Sequence, residues 1–114
     1  MASPREVYEQ LRAACAAADA GAASALYADD GVFTDADNAV HTGRDSVADY
    51  YKGYFATRGP VQYTVKRQVE GGDGTVLTEW TAASTEGGRH STGLPGATVI
   101  EVGRGGITYH RDYR

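Results

Sequence analysis

Val61-Gln62-Tyr63-Thr64-Val65-Lys66-Arg67-Gln68-Val69 is the stretch on which the fold turns. Apolar and polar residues alternate along it and β-branched residues are dense, the signature of a half-buried strand. The same signature then repeats to the end of the chain. Gly71-Gly72-Asp73-Gly74 reads as a turn, and Thr75 to Thr85 as a long strand containing Trp80. Gly87-Gly88 reads as another turn, followed by a strand from about Arg89 to Val102. Gly93-Leu94-Pro95-Gly96 interrupts that strand, and Pro, which cannot donate to a ladder, marks a bulge or kink there. Gly103 to Gly106 turns the chain into a last strand, Ile107 to Tyr113.

Upstream of Gly59-Pro60 the period changes. Ser3-Pro4 with Glu6 reads as a helix start, and Val7, Tyr8, Leu11, Cys15 and Ala18 follow at helical spacing. Gly21 is expected to break this helix, and a second short helix to carry Ala22, Ala23, Leu26 and Tyr27. Asp29-Asp30-Gly31 reads as a turn, Val32 to Asp35 as a short strand, Asp37-Asn38 as a hairpin and Val40-His41-Thr42 as the return strand. A third helix runs from about Asp45 to Thr57, with Val47, Tyr50, Tyr51, Tyr54 and Phe55 on its apolar face. Helices followed by a run of strands predict an α+β fold: a cone-shaped, curved antiparallel sheet wrapped around three N-terminal helices, residues 1–114 forming one domain with a cavity at its open end.

Composition narrows the partners. The chain has 114 residues, 41% hydrophobic and 23% charged, which is globular composition. Eight tyrosines suit a half-wet cavity wall, where rings pack and hydroxyls seek partners. With a net charge of -4 and scattered Lys and Arg, a nucleic-acid partner is not expected. The lone Cys15 excludes an internal disulfide and a Cys-based zinc site, and reads as a small core residue. His41, His90 and His110 lack metal-site spacing, so no metal and no cofactor is expected; His41 and His90 read as surface or hairpin residues. No leader-like or membrane-spanning apolar run is visible, so the expectation is a cytoplasmic protein with no membrane partner.

Four segments together resemble the nuclear-transport-factor-2-like superfamily, whose members include ketosteroid isomerases, limonene-epoxide hydrolases and SnoaL-like polyketide cyclases. They are Leu26-Tyr27-Ala28-Asp29-Asp30-Gly31-Val32-Phe33, His41-Thr42-Gly43-Arg44-Asp45-Ser46-Val47, Thr98-Val99-Ile100-Glu101-Val102, and Gly106-Ile107-Thr108-Tyr109-His110-Arg111-Asp112-Tyr113. The resemblance implies Asp35 at the position of the isomerases' general base. It puts Leu11 where their helix-borne oxyanion Tyr would lie, leaving Tyr8 as a substitute. Asp112, in Arg111-Asp112-Tyr113, matches the epoxide hydrolases' water-activating aspartate. Trp80 and Ala82 stand where those enzymes carry an Arg and a second Asp. The resemblance also implies a homodimer, with Val99, Glu101, Ile107, Tyr109 and Arg111 at the contact.

Strand alternation pairs Phe33 with Asp35, Trp80 with Ala82, and His110 with Asp112 on one face of their own strands; with Asp112 facing the cavity, as the resemblance implies, the sheet would offer Phe33, Asp35, Trp80, His110 and Asp112 to it. A carboxylate among aromatic rings loses hydration, which raises its pKa and makes it a better base near neutral pH. The expectation is therefore a cofactor-independent isomerase or cyclase acting on an apolar ketone or epoxide of polyketide or terpenoid type. Asp35 would be the base, Asp112 and His110 the acid partner or orienting group, and Trp80, Phe33, Tyr8, Tyr51 and Tyr54 the cavity wall. His110, the Tyr hydroxyls and the Trp80 N–H would be the donors to an enolate oxygen. The alternatives are a non-catalytic ligand-binding or dimerisation module and a divergent epoxide hydrolase. For Asp35 alone, the alternative is a turn residue capping the Asp37-Asn38 hairpin.

Overall fold

The structure, a computed structural model, describes residues 2–86 and 89–114, and the side chains of these apart from residues 85–92. The expected turn at Gly87-Gly88 and the His90 side chain lie outside the described residues. Helices α1 (Pro4–Ala16), α2 (Ala20–Ser24) and α3 (Arg44–Arg58) accompany strands β1 (Tyr27–Thr34), β2 (Val40–Thr42), β3 (Val61–Glu70), β4 (Thr75–Glu86), β5 (Arg89–Gly103) and β6 (Gly106–Tyr113). The strands form one sheet in the order β2-β1-β6-β5-β4-β3. All neighbours are antiparallel except β1 and β6, which pair in parallel. Helices α1 and α3 pack against this sheet, giving the expected α+β architecture.

Local chemistry explains the helix ends. Ser3 Oγ accepts from the Glu6 N–H at 3.2 Å while Glu6 Oε1 accepts from the Ser3 N–H at 2.9 Å, a reciprocal cap worth about 1 kcal/mol. The first helix stops earlier than Gly21. Ala18 takes a positive φ of 52°, and Asp19 caps α2 by accepting from the Ala22 N–H at 2.9 Å. Gly21 therefore lies inside α2, and an Asx cap rather than glycine separates the helices. Gly59, φ 67°, ends α3 as expected.

Three further expectations are corrected. Tyr27, Asp29, Asp30 and Gly31 belong to β1, not to a helix and a turn. The parallel partner decides this: the Ile107 N–H donates to the Leu26 carbonyl at 2.9 Å, and a Cβ on Gly31 would lie 2.5 Å from the Ile107 carbonyl oxygen. The Gly93–Gly96 segment does not interrupt β5, although the expected bulge is present at its start. The ladder runs through Pro95 opposite Thr81, and the register slips only between Leu94 and Ser91, where Gly93 has φ 71°. Ile107 is fully buried rather than on the outer face. A register slip at Thr108 turns Ile107 to the same side as His110 although three residues separate them.

Register shifts in the β1–β6, β3–β4, β4–β5 and β5–β6 ladders bend the sheet around α1 and α3. Tyr27, Phe33, Val47, Val76, Ile100 and Ile107 fill the closed end, each burial contributing roughly 1.5–3 kcal/mol. Aromatic residues (Tyr50, Tyr54, Tyr63, Trp80) and charged ones (Asp35, Arg58, Asp112, Arg114) line the other end, which is left open.

Candidate functional site

The hollow has two joined compartments. The inner one is a narrow cavity of about 30 Å³ between α1 (Tyr8, Leu11, Cys15), α3 (Tyr50, Tyr51, Tyr54) and the sheet (Phe33, His110). The outer one, about 150 Å³, lies against Asp35, Arg58, Trp80, Ala82, Ser84 and Arg114. Tyr50, Tyr54, Tyr63 and Asp112 belong to both. Asp112 therefore stands at the junction, where an occupant of either compartment can meet it.

The two aspartates are held in opposite ways. Asp35 lies just beyond the end of β1, buried at 7% exposure. Its Oδ1 accepts from the backbone N–H groups of Asp37 (2.9 Å) and Ala39 (3.0 Å), and its Oδ2 lies 3.0 Å from His41 Nε2. The carboxylate thus caps the β1–β2 hairpin with both oxygens engaged. Burial pushes its pKa up, but the His41 bond and the N–H groups of Ala39 and Asp37 outweigh it, and the net shift is downward. That reverses the raised value expected of a base and matches the alternative reading of Asp35 as the residue that caps the Asp37-Asn38 hairpin.

Asp112 is anchored through one oxygen. Its Oδ1 accepts from Thr98 Oγ1 at 2.8 Å and from His110 Nε2 at 2.7 Å. No hydrogen bond to its Oδ2 is found among the described residues, and Asp112 lines both compartments. β-sheet register builds this arrangement: Thr98 sits directly opposite Asp112 across β5–β6, and His110 precedes Asp112 by two on the same face. His110 is itself held by a stacked Phe33 ring, centroids 4.1 Å apart, and by Tyr27 Oη at 2.6 Å from Nδ1.

The remaining wall residues sort by their hydroxyls and rings. The Trp80 N–H is committed to Thr98 Oγ1 at 2.8 Å, so it is not a free donor to a ligand; its ring faces Tyr63 edge-on at 4.7 Å. The Tyr51 hydroxyl is hydrogen-bonded to that of Tyr27 at 2.7 Å. Tyr8, Tyr50, Tyr54 and Tyr63 line the hollow, and burial pushes all four phenols above their ordinary range. They stay protonated and serve as donors. Burial also pushes the Cys15 thiol up to about 12, which leaves it inert. Among the described residues no group of three His, Cys, Asp or Glu could hold a metal ion.

Sequence reasoning named Asp35, Asp112, His110, Trp80, Phe33, Tyr8, Tyr51 and Tyr54, and all of them lie on or directly behind this wall. It missed Thr98, Tyr27, Tyr63 and Arg12. Thr98 was discoverable, since pairing the last two strands sets it opposite Asp112. Tyr27 was not, because its preceding run of alanines reads as helix. Arg12 lines the inner compartment, reaches Glu9 at 3.3 Å, and keeps a buried Nε without a partner among the described residues.

Comparison with known proteins agrees with this architecture. The family model described as SnoaL-like domain matches residues 8–110. A protein of ketosteroid isomerase-like fold from Catenulispora acidiphila DSM 44928, solved in complex with trimethylamine, superposes with a TM-score of 0.86 at 26% identity, covering 99% of this chain and 87% of that one. A cystatin-fold protein from Novosphingobium aromaticivorans gives 0.83 at 17% identity and covers 100% of both chains. A candidate SnoaL-like polyketide cyclase from Shewanella putrefaciens CN-32 gives 0.83 at 15% identity, with 99% of this chain and 90% of that one covered. No curated protein matches the sequence.

Proposed function

Because the chain belongs to the SnoaL-like domain family, we propose that it is a cofactor-independent isomerase or cyclase acting on an apolar ketone of polyketide or terpenoid type, with Asp112 rather than Asp35 as its base. The observation that carries this reading is the junction carboxylate: Oδ1 is held by two donors while Oδ2 is left free against a largely aromatic hollow. An oxygen already accepting two bonds is a poor site for a new proton, so Oδ2 takes it. The C–H bond next to the carbonyl breaks, its electron pair moves to the carbonyl oxygen, and a neutral phenol from Tyr8, Tyr50, Tyr54 or Tyr63 donates to that oxygen. Returning the proton to another carbon isomerises the substrate, and attack of the enolate on a second carbonyl closes a ring.

The test is proton exchange. Incubated in D2O with 2-decalone, an apolar bicyclic ketone, the protein is expected to exchange the α-protons faster than buffer does, read by loss of their NMR signals. No acceleration with this or smaller cyclic ketones counts against the reading.

One observation favours a second use of the same hollow, as a non-catalytic binding module. The Catenulispora relative was solved with trimethylamine, and here Phe33, Tyr50, Tyr54, Tyr63 and Trp80 surround a carboxylate, the surroundings that suit a small alkylammonium ion. Calorimetric titration with trimethylammonium chloride distinguishes the two. Binding that Asp112→Asn weakens, in a protein that exchanges no ketone, selects the second reading.

A further inference from the structure

Two chains of hydrogen bonds converge on Asp112 Oδ1; donor chemistry forces the direction of the first, and a neutral His110 sets that of the second. An indole N–H only donates, so Trp80 Nε1 gives its hydrogen to Thr98 Oγ1, and the single Thr98 hydroxyl hydrogen goes on to Asp112. On the other side an ionised carboxylate only accepts, so the hydrogen between His110 and Asp112 sits on Nε2. A neutral imidazole then offers Nδ1 as an acceptor, and Tyr27 Oη, 2.6 Å away, donates to it. With its own hydrogen committed, Tyr27 accepts from Tyr51 at 2.7 Å.

Resting on the assignment of Asp112 as the base, we infer that Tyr27, backed by Tyr51, is a positioning residue: it fixes His110 in the Nε2–H tautomer and thereby leaves Asp112 Oδ2 as the atom that accepts the substrate's proton. Tyr27 is fully buried and lines neither compartment, so it reaches the chemistry only through His110. Its phenol is driven far above the ordinary range by burial and remains a neutral donor. The imidazole cannot be re-aimed easily, since Phe33 stacks at 4.1 Å and the Tyr27 ring lies at 6.0 Å. In the opposite tautomer, bare Nε2 would face carboxylate Oδ1 lone pair to lone pair. The arrangement also lets the base cycle without rearrangement. When the substrate's C–H bond breaks and an O–H bond forms at Oδ2, every hydrogen in the network stays on its own atom.

The test is nitrogen-15 NMR of histidine-labelled protein, native and Tyr27→Phe. Native His110 is expected to show a protonated Nε2 and a bare, hydrogen-bonded Nδ1. In Tyr27→Phe the Nδ1 resonance moves to that of a nitrogen without a donor. The kcat for ketone exchange falls by about tenfold, the worth of one hydrogen bond, with KM unchanged. A protonated Nδ1 in the native protein, or an Nδ1 resonance that Tyr27→Phe leaves in place, overturns the inference. Should Tyr27→Phe not fold, biosynthetic incorporation of 3-fluorotyrosine, a stronger donor of nearly the same size, shifts the Nδ1 resonance in the opposite direction; no shift overturns it equally. The spectrum is independent of turnover, so the expected tautomer in a protein that exchanges no ketone sinks the base assignment and leaves the role of Tyr27 standing.

Discussion

Asp35 and Asp112 share a hollow, but hydrogen bonding separates their chemistry. Asp35 takes two backbone N–H groups and His41, an arrangement that stabilises its charged form and the hairpin together. Its pKa is lower folded than unfolded, so the stability it adds is present above the unfolded value near 3.8 and is lost as pH falls through the folded one. Asp35→Asn is accordingly expected to cost about 1–3 kcal/mol near neutral pH. It should also flatten the acid limb of the stability curve, as urea unfolding across a pH series would record. An Asp35→Asn protein as stable as the native one at pH 7 would refute the capping role.

At the scale of elements, the site depends on where strands slip. Trp80 lies across β5 because Gly96, its partner in the ladder, has no side chain; a Cβ there would run into the Trp80 six-membered ring. Gly96→Ala should therefore displace the indole, break its bond to Thr98 and cost about 1–3 kcal/mol as overpacking, with Trp fluorescence and denaturation midpoint moving together. An unchanged midpoint would mean that the ring is free to move. These slips also mark what the sequence did and did not disclose. The hairpin at Asp37-Asn38, the cap at Ser3 and the strands from Val61 onward were legible because each has a local cause. β1 was misread over Tyr27–Gly31 since its partner, β6, is about 80 residues away in sequence and nothing local prefers a strand to Asp-Asp-Gly. Ile107 was put on the wrong face because one extra residue at Thr108 inverts a period-2 count. Which aspartate is the base could not be read from a strand pattern, since alternation gives the face of a carboxylate and not its partners.

For the whole molecule, the concave side of the sheet holds the hollow and the convex side is left uncovered. There Val69 pairs with Leu77 and Leu77 with Val99 across three strands, and Val69 and Leu77 stay 58% and 46% exposed. A contiguous apolar row of this kind suits a second copy of the chain. The proposed homodimer contact is thus centred on Val69, Leu77 and Val99, with Glu101, Tyr109 and Arg111 around it and buried Ile107 excluded. Sedimentation should give twice the chain mass of 12.1 kDa, reduced to one chain by Leu77→Glu. A native monomer would remove the dimer without touching the site. Among the described residues no helix is long and apolar enough to cross a membrane.

Deuterium exchange into 2-decalone by Asp112→Asn and Asp35→Asn, each compared with the native protein, tests the assignment of the base most directly. Asp112→Asn keeps the shape of the junction and removes its proton acceptor. The rate is expected to fall by about 10²–10⁴-fold in Asp112→Asn and to stay within about threefold of native in Asp35→Asn. Exchange that survives in Asp112→Asn and disappears in Asp35→Asn would contradict the account and return the role to the hairpin carboxylate.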